Sequence, residues 1–263
     1  MTKPAPDPVR AVRLAIYRGF AGRGGPPSVA ELAAQTGLAE TAVRSALHDL
    51  HDAHAIVLTP SGDAVRMAHP FSAAPMGFVV SAQGRGPTGY AGDRMWWGGC
   101  AWDSFGIGAA LGEPVVIRTH CPGCGRNLTV RAGPAQPPGP DLVVHIPCPA
   151  GRWWDDVVST CANIRLFCST LHVEAWAQNE AQREGGARQE NEEARREGEA
   201  PEDGEVRAAP PPGGRVIPAI TMWRLAQPWY GDRLDPDWSP RPAAAAHRLL
   251  AQAGLTGDFW QLT

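Results

Sequence analysis

The chain contains a single lysine, Lys3, among its 24 basic side chains, and its 27 acidic residues leave a formal net charge of only −3. That balance excludes a global electrostatic pull toward nucleic acid or anionic lipid. No stretch approaches the roughly 18 consecutive apolar residues that a bilayer-spanning helix needs, which argues against a membrane partner. The opening residues, Met1 to Pro8, lack the apolar core of a signal peptide. A cytoplasmic setting is therefore expected, and there thiols stay reduced. In such a compartment the six cysteines are ligands, nucleophiles or core residues rather than disulfides. The scarcity of lysine beside abundant Ala, Arg, Gly, Pro and Trp fits a GC-rich bacterial genome, which concerns codon usage and not mechanism. With 263 residues, 43% of them hydrophobic, the chain can bury a sizeable core in one or two domains.

Four segments are expected. Residues 7–80 read as a winged-helix-like module. Val9, Val12, Ile16 and Phe20 form a helical stripe, Ser28 and Glu31 form a capping box for a second helix, and Glu40 to His54 form a third. A hairpin follows, from Ala55 to Met67. DNA recognition by the third helix would call for several basic side chains; only Arg44 is present, so the module reads as a packing scaffold and DNA binding is not expected. Residues 81–178 read as a mixed core of helices and antiparallel strands. Residues 179–214 are polar and acidic and end in a Pro/Gly run, the signature of a linker. Residues 215–263 form a Trp-rich segment whose aromatic residues read as its own core. The expected fold class is α+β.

Three groupings of cysteine compete for a chemical role. Cys121-Pro-Gly-Cys124 has the spacing of half a zinc knuckle between two strands. No second Cys-x-x-Cys exists, so Cys148, His120 or His145 would have to complete a metal site. Cys168 stands in an apolar run and reads as a core residue. The third grouping centres on the stretch Met95 to Phe105, where Cys100 precedes Asp103 by three residues. On a helix those two positions share a face. Cys161, about sixty residues later, could join them only if the fold brings it there.

Gly99-Cys-Ala-Trp-Asp-Ser-Phe resembles the Cys-Ala-Leu-Asp segment of the organomercurial lyases, or alkylmercury lyases. The similarity continues through Thr119-His-Cys and Leu128-Thr-Val, then through Ser159-Thr-Cys-Ala-Asn-Ile-Arg-Leu-Phe-Cys-Ser and Glu174-Ala-Trp. It spans about residues 7–178, because the family also begins with a winged-helix-like module packed on its catalytic core. The resemblance implies that Cys100 and Cys161 are the catalytic cysteines and product Hg(II) ligands, with Asp103 as the catalytic aspartate that also approaches the metal. It implies that Cys121 is structural and that no cofactor is required. Ala162 stands where some members carry a further cysteine. Cys124 and the segments after residue 178 have no counterpart that can be aligned.

The resemblance further implies an organomercurial small molecule as substrate. Small thiols or a mercuric reductase would take the product. Trp96, Trp97, Trp102 and Phe105 are expected as walls for its organic group, or as plain core. Mercury is soft and prefers thiolates, and a thiol at a helix N-terminus gains from the helix dipole. A rival reading is a winged-helix metal-responsive regulator or a thiol metal-binding protein without turnover. A third is a lyase-like relative with a different thiophilic substrate. A binding site has no need of Asp103, whereas protonolysis does.

Overall fold

A computed structural model describes residues 7–83, 94–182 and 214–262. The acidic linker expected over residues 179–214 lies almost entirely outside the described residues. Helix α1 (Pro8–Arg23) begins where Asp7 accepts a hydrogen bond from the Val9 N–H, 3.0 Å, and ends at Gly24 with φ 81°. It buries Val12, Ile16, Tyr17 and Phe20. Helix α2 (Val29–Thr36) carries both halves of the capping box, with the Ser28 N–H on Glu31, 2.7 Å, and the Glu31 N–H on Ser28, 3.3 Å. Helix α3 (Glu40–Asp52) packs Val43, Ala46, Leu47 and Leu50 against them.

The strands that follow form one antiparallel sheet. β1 (Val57–Leu58) and β2 (Val65–Ala68) make the hairpin, and β3 (Phe71–Ser72), β4 (Phe78–Ala82) and β5 (Met95–Gly98) continue it. β6 (Val115–His120) and β7 (Asn127–Ala132) complete the order β1-β2-β3-β5-β4-β6-β7. β3 bridges the hairpin to the core by pairing Phe71 with Gly98 and Ser72 with Trp97. The sheet thus passes from the N-terminal segment into the central one without a break. Helix α4 (Ala101–Leu111) leaves the end of β5 and is buried along nearly its whole length.

A second, three-stranded sheet has β8 (Val143–Ile146) at its centre, flanked by β9 (Arg165–Phe167) and β10 (Arg215–Pro218). Between β8 and β9 lies the short helix α5 (Val157–Asn163), and helix α6 covers residues 170–182. The run from Val157 to Cys168 could be read from sequence as helix or strand; it is both in turn. The C-terminal segment is stitched in by β10, by helix α7 (Ala219–Tyr230) against α4, and by helix α8 (Ala243–Gln252) against α7. Arg13 of α1 also donates to the carbonyls of Arg233 and Asp235, at 3.0 and 2.5 Å. Among the described residues no helix is long and apolar enough to cross a membrane.

The α4–α7 contact leaves no room at Gly106, where a Cβ would fall 2.3 Å from the Tyr230 ring and 2.9 Å from Pro70. Overpacking of this kind costs about 1–3 kcal/mol. Gly106→Ala is therefore expected to lower the thermal midpoint by several degrees. A scan of the purified variant beside the parent checks this, and an unchanged midpoint would contradict the tight contact.

Candidate active site

The site is assembled at the turn from β5 into α4. Gly99 supplies the close approach, because a Cβ there would stand 2.5 Å from Asp103 Oδ2 and 2.4 Å from the Met67 methyl. Cys100 occupies the N-cap of α4 in an extended conformation, and its sulfur accepts the Asp103 N–H at 3.3 Å. The expected i, i+3 pairing is realised as a cap, with the thiol and the carboxylate on the same turn. Cys161 arrives from α5. The Ala101 N–H donates to the Ile164 carbonyl, 3.0 Å, and so ties the start of α4 to the end of the helix that carries Cys161. Cys161 Sγ then lies 3.9 Å from Asp103 Oδ2, and its thiol also shares a hydrogen bond with Cys100. The fold brings Cys100, Asp103 and Cys161 together.

Two further residues belong to the same cluster and were not singled out in the sequence. His69 Nδ1 is 3.1 Å from Asp103 Oδ2, and the Tyr230 hydroxyl donates to Asp103 Oδ1 at 2.7 Å. Asp103 is only 1% exposed, so each carboxylate oxygen has a partner where water is absent. His69 is held in turn by α1, because its carbonyl and that of Ala55 both lie 3.1 Å from the Tyr17 hydroxyl. Neither residue stands in a motif; each lies far along the chain from Cys100, and only tertiary pairing reveals it.

The electrostatics keep the thiols protonated. Burial raises the Cys100 thiol well above its ordinary value of 9.0, and the neighbouring Cys161 and Asp103 add to the rise. The Asp103 N–H works the other way and is outweighed. The expected gain for a thiolate at a helix N-terminus is thus present but smaller than the cost of removing the charge from water. For Cys161 the hydrogen bond from Cys100 lowers the value; burial and Asp103 overcome it, so the net shift is upward. Burial and the Asp103 charge likewise push the Tyr230 hydroxyl well above 10.0, so it remains a donor.

A cavity of about 330 Å³ opens onto this cluster. Trp102, Trp153, Trp154 and Trp229 line it. Trp102 meets Trp153 edge-on at 5.3 Å and lies 4.9 Å from Trp229, while Trp154 stacks on His54 at 4.2 Å. Of the four walls proposed from sequence only Trp102 faces the cavity. Trp96 and Phe105 are buried core residues, and Trp97 is half-buried on β5 away from the lining.

The raised thiols make a sharp prediction. Alkylation of Cys100 and Cys161 by iodoacetamide is expected to rise with pH along a curve displaced above that of the same cysteines in the unfolded chain. Steric shielding alone would slow the reaction at every pH and leave the inflection in place. Because the folded values are raised, the stability they contribute is present below the ordinary thiol value and lost as pH climbs through the folded one. Mass spectrometry of the alkylated peptides across pH provides the measurement.

Among curated proteins no relative matches. Among solved structures, the chain is similar to one described as the mercury-bound form of MerB2, with a TM-score of 0.58 and 17% identity over 88% of this chain and 92% of that one. At that identity the likeness speaks for the fold, and its coverage exceeds what residues 1–214 could supply, so it reaches into the C-terminal segment for which the sequence offered no counterpart. The family model described as alkylmercury lyase matches residues 71–200. That stretch, which holds Cys100, Asp103 and Cys161, is thus similar to the alkylmercury lyase family.

Proposed function

We propose that this protein cleaves the carbon–mercury bond of organomercurials by protonolysis, with Cys100 and Cys161 as mercury ligands and Asp103 as the proton carrier. The observation that carries the reading is the convergence of two buried thiols and one buried carboxylate at the floor of an aromatic cavity. Mercury is soft enough to displace protons from thiols that are neutral in the free site. The first thiolate–mercury bond forms as the Cys100 or Cys161 proton passes to Asp103 and the departing anion leaves the metal. The second thiol then binds as its own proton goes to the departed anion, electron density on the attached carbon grows, and the carbon–mercury bond breaks as the carbon takes the proton held by Asp103. Overall, the organomercurial and two thiols give a hydrocarbon, a dithiolate of Hg(II), and the acid of the departing anion. Small thiols or a mercuric reductase would strip the metal, and a cytoplasmic setting keeps the site reduced.

Tyr230 and His69 position the carboxylate. A proton carrier that also approaches the metal must hold one orientation while its charge changes, and these two partners fix both oxygens. The same pair favours turnover over simple storage, since a two-thiol metal trap has no use for a braced carboxylate. The N-terminal unit of three helices and a hairpin follows the winged-helix order and serves as a scaffold that delivers His69. The sole Arg or Lys of α3, Arg44, is 3.7 Å from Glu40 and offers little to a phosphate backbone.

Headspace detection of benzene from phenylmercury tests the reading. Cys100→Ala is expected to abolish release. Asp103→Asn should still take up the organomercurial but release benzene at least ~100-fold more slowly, within the range typical of a lost acid–base group. Tyr230→Phe should cost roughly tenfold, as expected for about 1.4 kcal/mol from one lost hydrogen bond to the carboxylate. Stoichiometric uptake by the parent protein with no benzene would replace the lyase by a binding protein, and parental turnover by Cys100→Ala would remove Cys100 from the chemistry.

A further inference from the structure

A second cluster of soft ligands lies outside the active site. Cys121 follows β6, Cys124 sits in the turn to β7, Cys168 follows β9, and His172 lies in the first turn of α6. One donor atom from each of the four falls within 4.8 Å of all the others. Cys124 Sγ is 3.6 Å from Cys168 Sγ, and Cys168 Sγ is 2.9 Å from His172 Nδ1. Zinc–sulfur bonds of about 2.3 Å in a tetrahedron set two sulfurs roughly 3.8 Å apart, close to the pair seen here. Cys148, His120 and His145, which the sequence offered as partners of the knuckle, are not in the cluster. Cys148 contacts Thr160 at 3.8 Å, and His145 Nδ1 lies 3.2 Å from the Asn163 carbonyl.

The local backbone is shaped for this convergence. The Cys121 N–H donates to the Arg126 carbonyl at 2.9 Å, and the Gly125 N–H returns to the Cys121 carbonyl at 2.8 Å, with Gly125 at φ 72°. Gly123 permits the approach of α6, since a Cβ there would fall 2.0 Å from the His172 carbonyl oxygen. Three sulfurs and one imidazole nitrogen are thus gathered around a space that a single cation would fill.

We propose that Cys121, Cys124, Cys168 and His172 form a structural zinc site of Cys₃His type. Four protein donors close the tetrahedron and leave no position for substrate, the mark of a structural rather than a catalytic zinc. Its role is to clamp the β6–β7 turn of the large sheet to the β9–α6 junction of the small one. Cys161 lies just before β9, so the clamp steadies the strand that follows an active-site thiol. A Cys124–Cys168 disulfide is the competing use of the same sulfurs, but it would leave Cys121 and His172 without purpose in the cluster. The inference does not rest on the lyase reading, because it concerns a different set of donors.

The full-length protein, purified under reducing conditions, is expected to hold one equivalent of zinc by elemental analysis. Removal by a chelator should lower the thermal midpoint, and added zinc should restore it. Replacement by cobalt(II) should give sulfur-to-metal charge-transfer absorption with the intense visible bands of a tetrahedral ion. Cys124→Ser and His172→Ala should each bring zinc well below one equivalent, whereas the Cys100→Ser/Cys161→Ser double variant should keep it in full. The proposal is overturned if the parent protein gives no tetrahedral cobalt spectrum, which needs no variant to fold. It is equally overturned if zinc disappears with Cys100 and Cys161, or if peptide mapping finds a Cys124–Cys168 disulfide in metal-free protein.

Discussion

A carboxylate that is 1% exposed must have its charge answered from inside the protein, and the way Asp103 is answered organises the molecule. Tyr230 reaches it from the C-terminal segment and His69 from the end of the N-terminal hairpin. Cys100 receives the N–H of the same residue and Cys161 stands beside Oδ2, the oxygen that His69 also meets. Three distant parts of the chain therefore meet at one acid. That explains why the small C-terminal segment is threaded back through β10 and α7 instead of standing apart, and why Arg13 of the first helix holds the loop after α7. A looser assembly would expose the carboxylate, and the site would lose its orientation along with its dry surroundings.

On the proposed readings, the two sulfur clusters divide soft-metal chemistry by coordination. At Cys100 and Cys161 there are two sulfurs, one acid and an open cavity, so an incoming metal can bring its own organic ligand. At Cys121, Cys124, Cys168 and His172 four donors already converge, with a glycine-lined turn pressed against a helix. A chain that cleaves organomercurials, as proposed, would gain from keeping its structural thiols coordinated, since a bound thiolate is a poorer target than a free one.

Much of this was legible in the residues. The capping box of Ser28 and Glu31, the β6–turn–β7 unit around Cys121 and the α4 start at Cys100 all follow from local rules, because their determinants lie within a few positions of each other. The pairing of Cys100 with Asp103 was also local. Cys161 entered through resemblance, since nothing in spacing alone could place it. His69 and Tyr230 were invisible for a physical reason: each acts through a single long-range hydrogen bond, which has no periodicity or motif. Cys168 looked like a core residue because its apolar neighbours in β9 dominate its context. Its partnership with His172 depends on how α6 turns back over the knuckle. The tryptophans misled in part, because β5 sends Trp96 into the core while the real cavity walls come from α4, the loop before α5, and α7.

The ring of indoles around the cavity has an optical consequence. Trp102, Trp153, Trp154 and Trp229 surround the place where a mercury atom would be held by the two thiols, and a heavy atom in contact with an excited indole opens a fast non-radiative path through spin–orbit coupling. The walls that exclude water would therefore darken when the metal arrives and brighten when thiols carry it away. The same side chains that shape the cavity thus give the bound and empty states different emission, with no label attached.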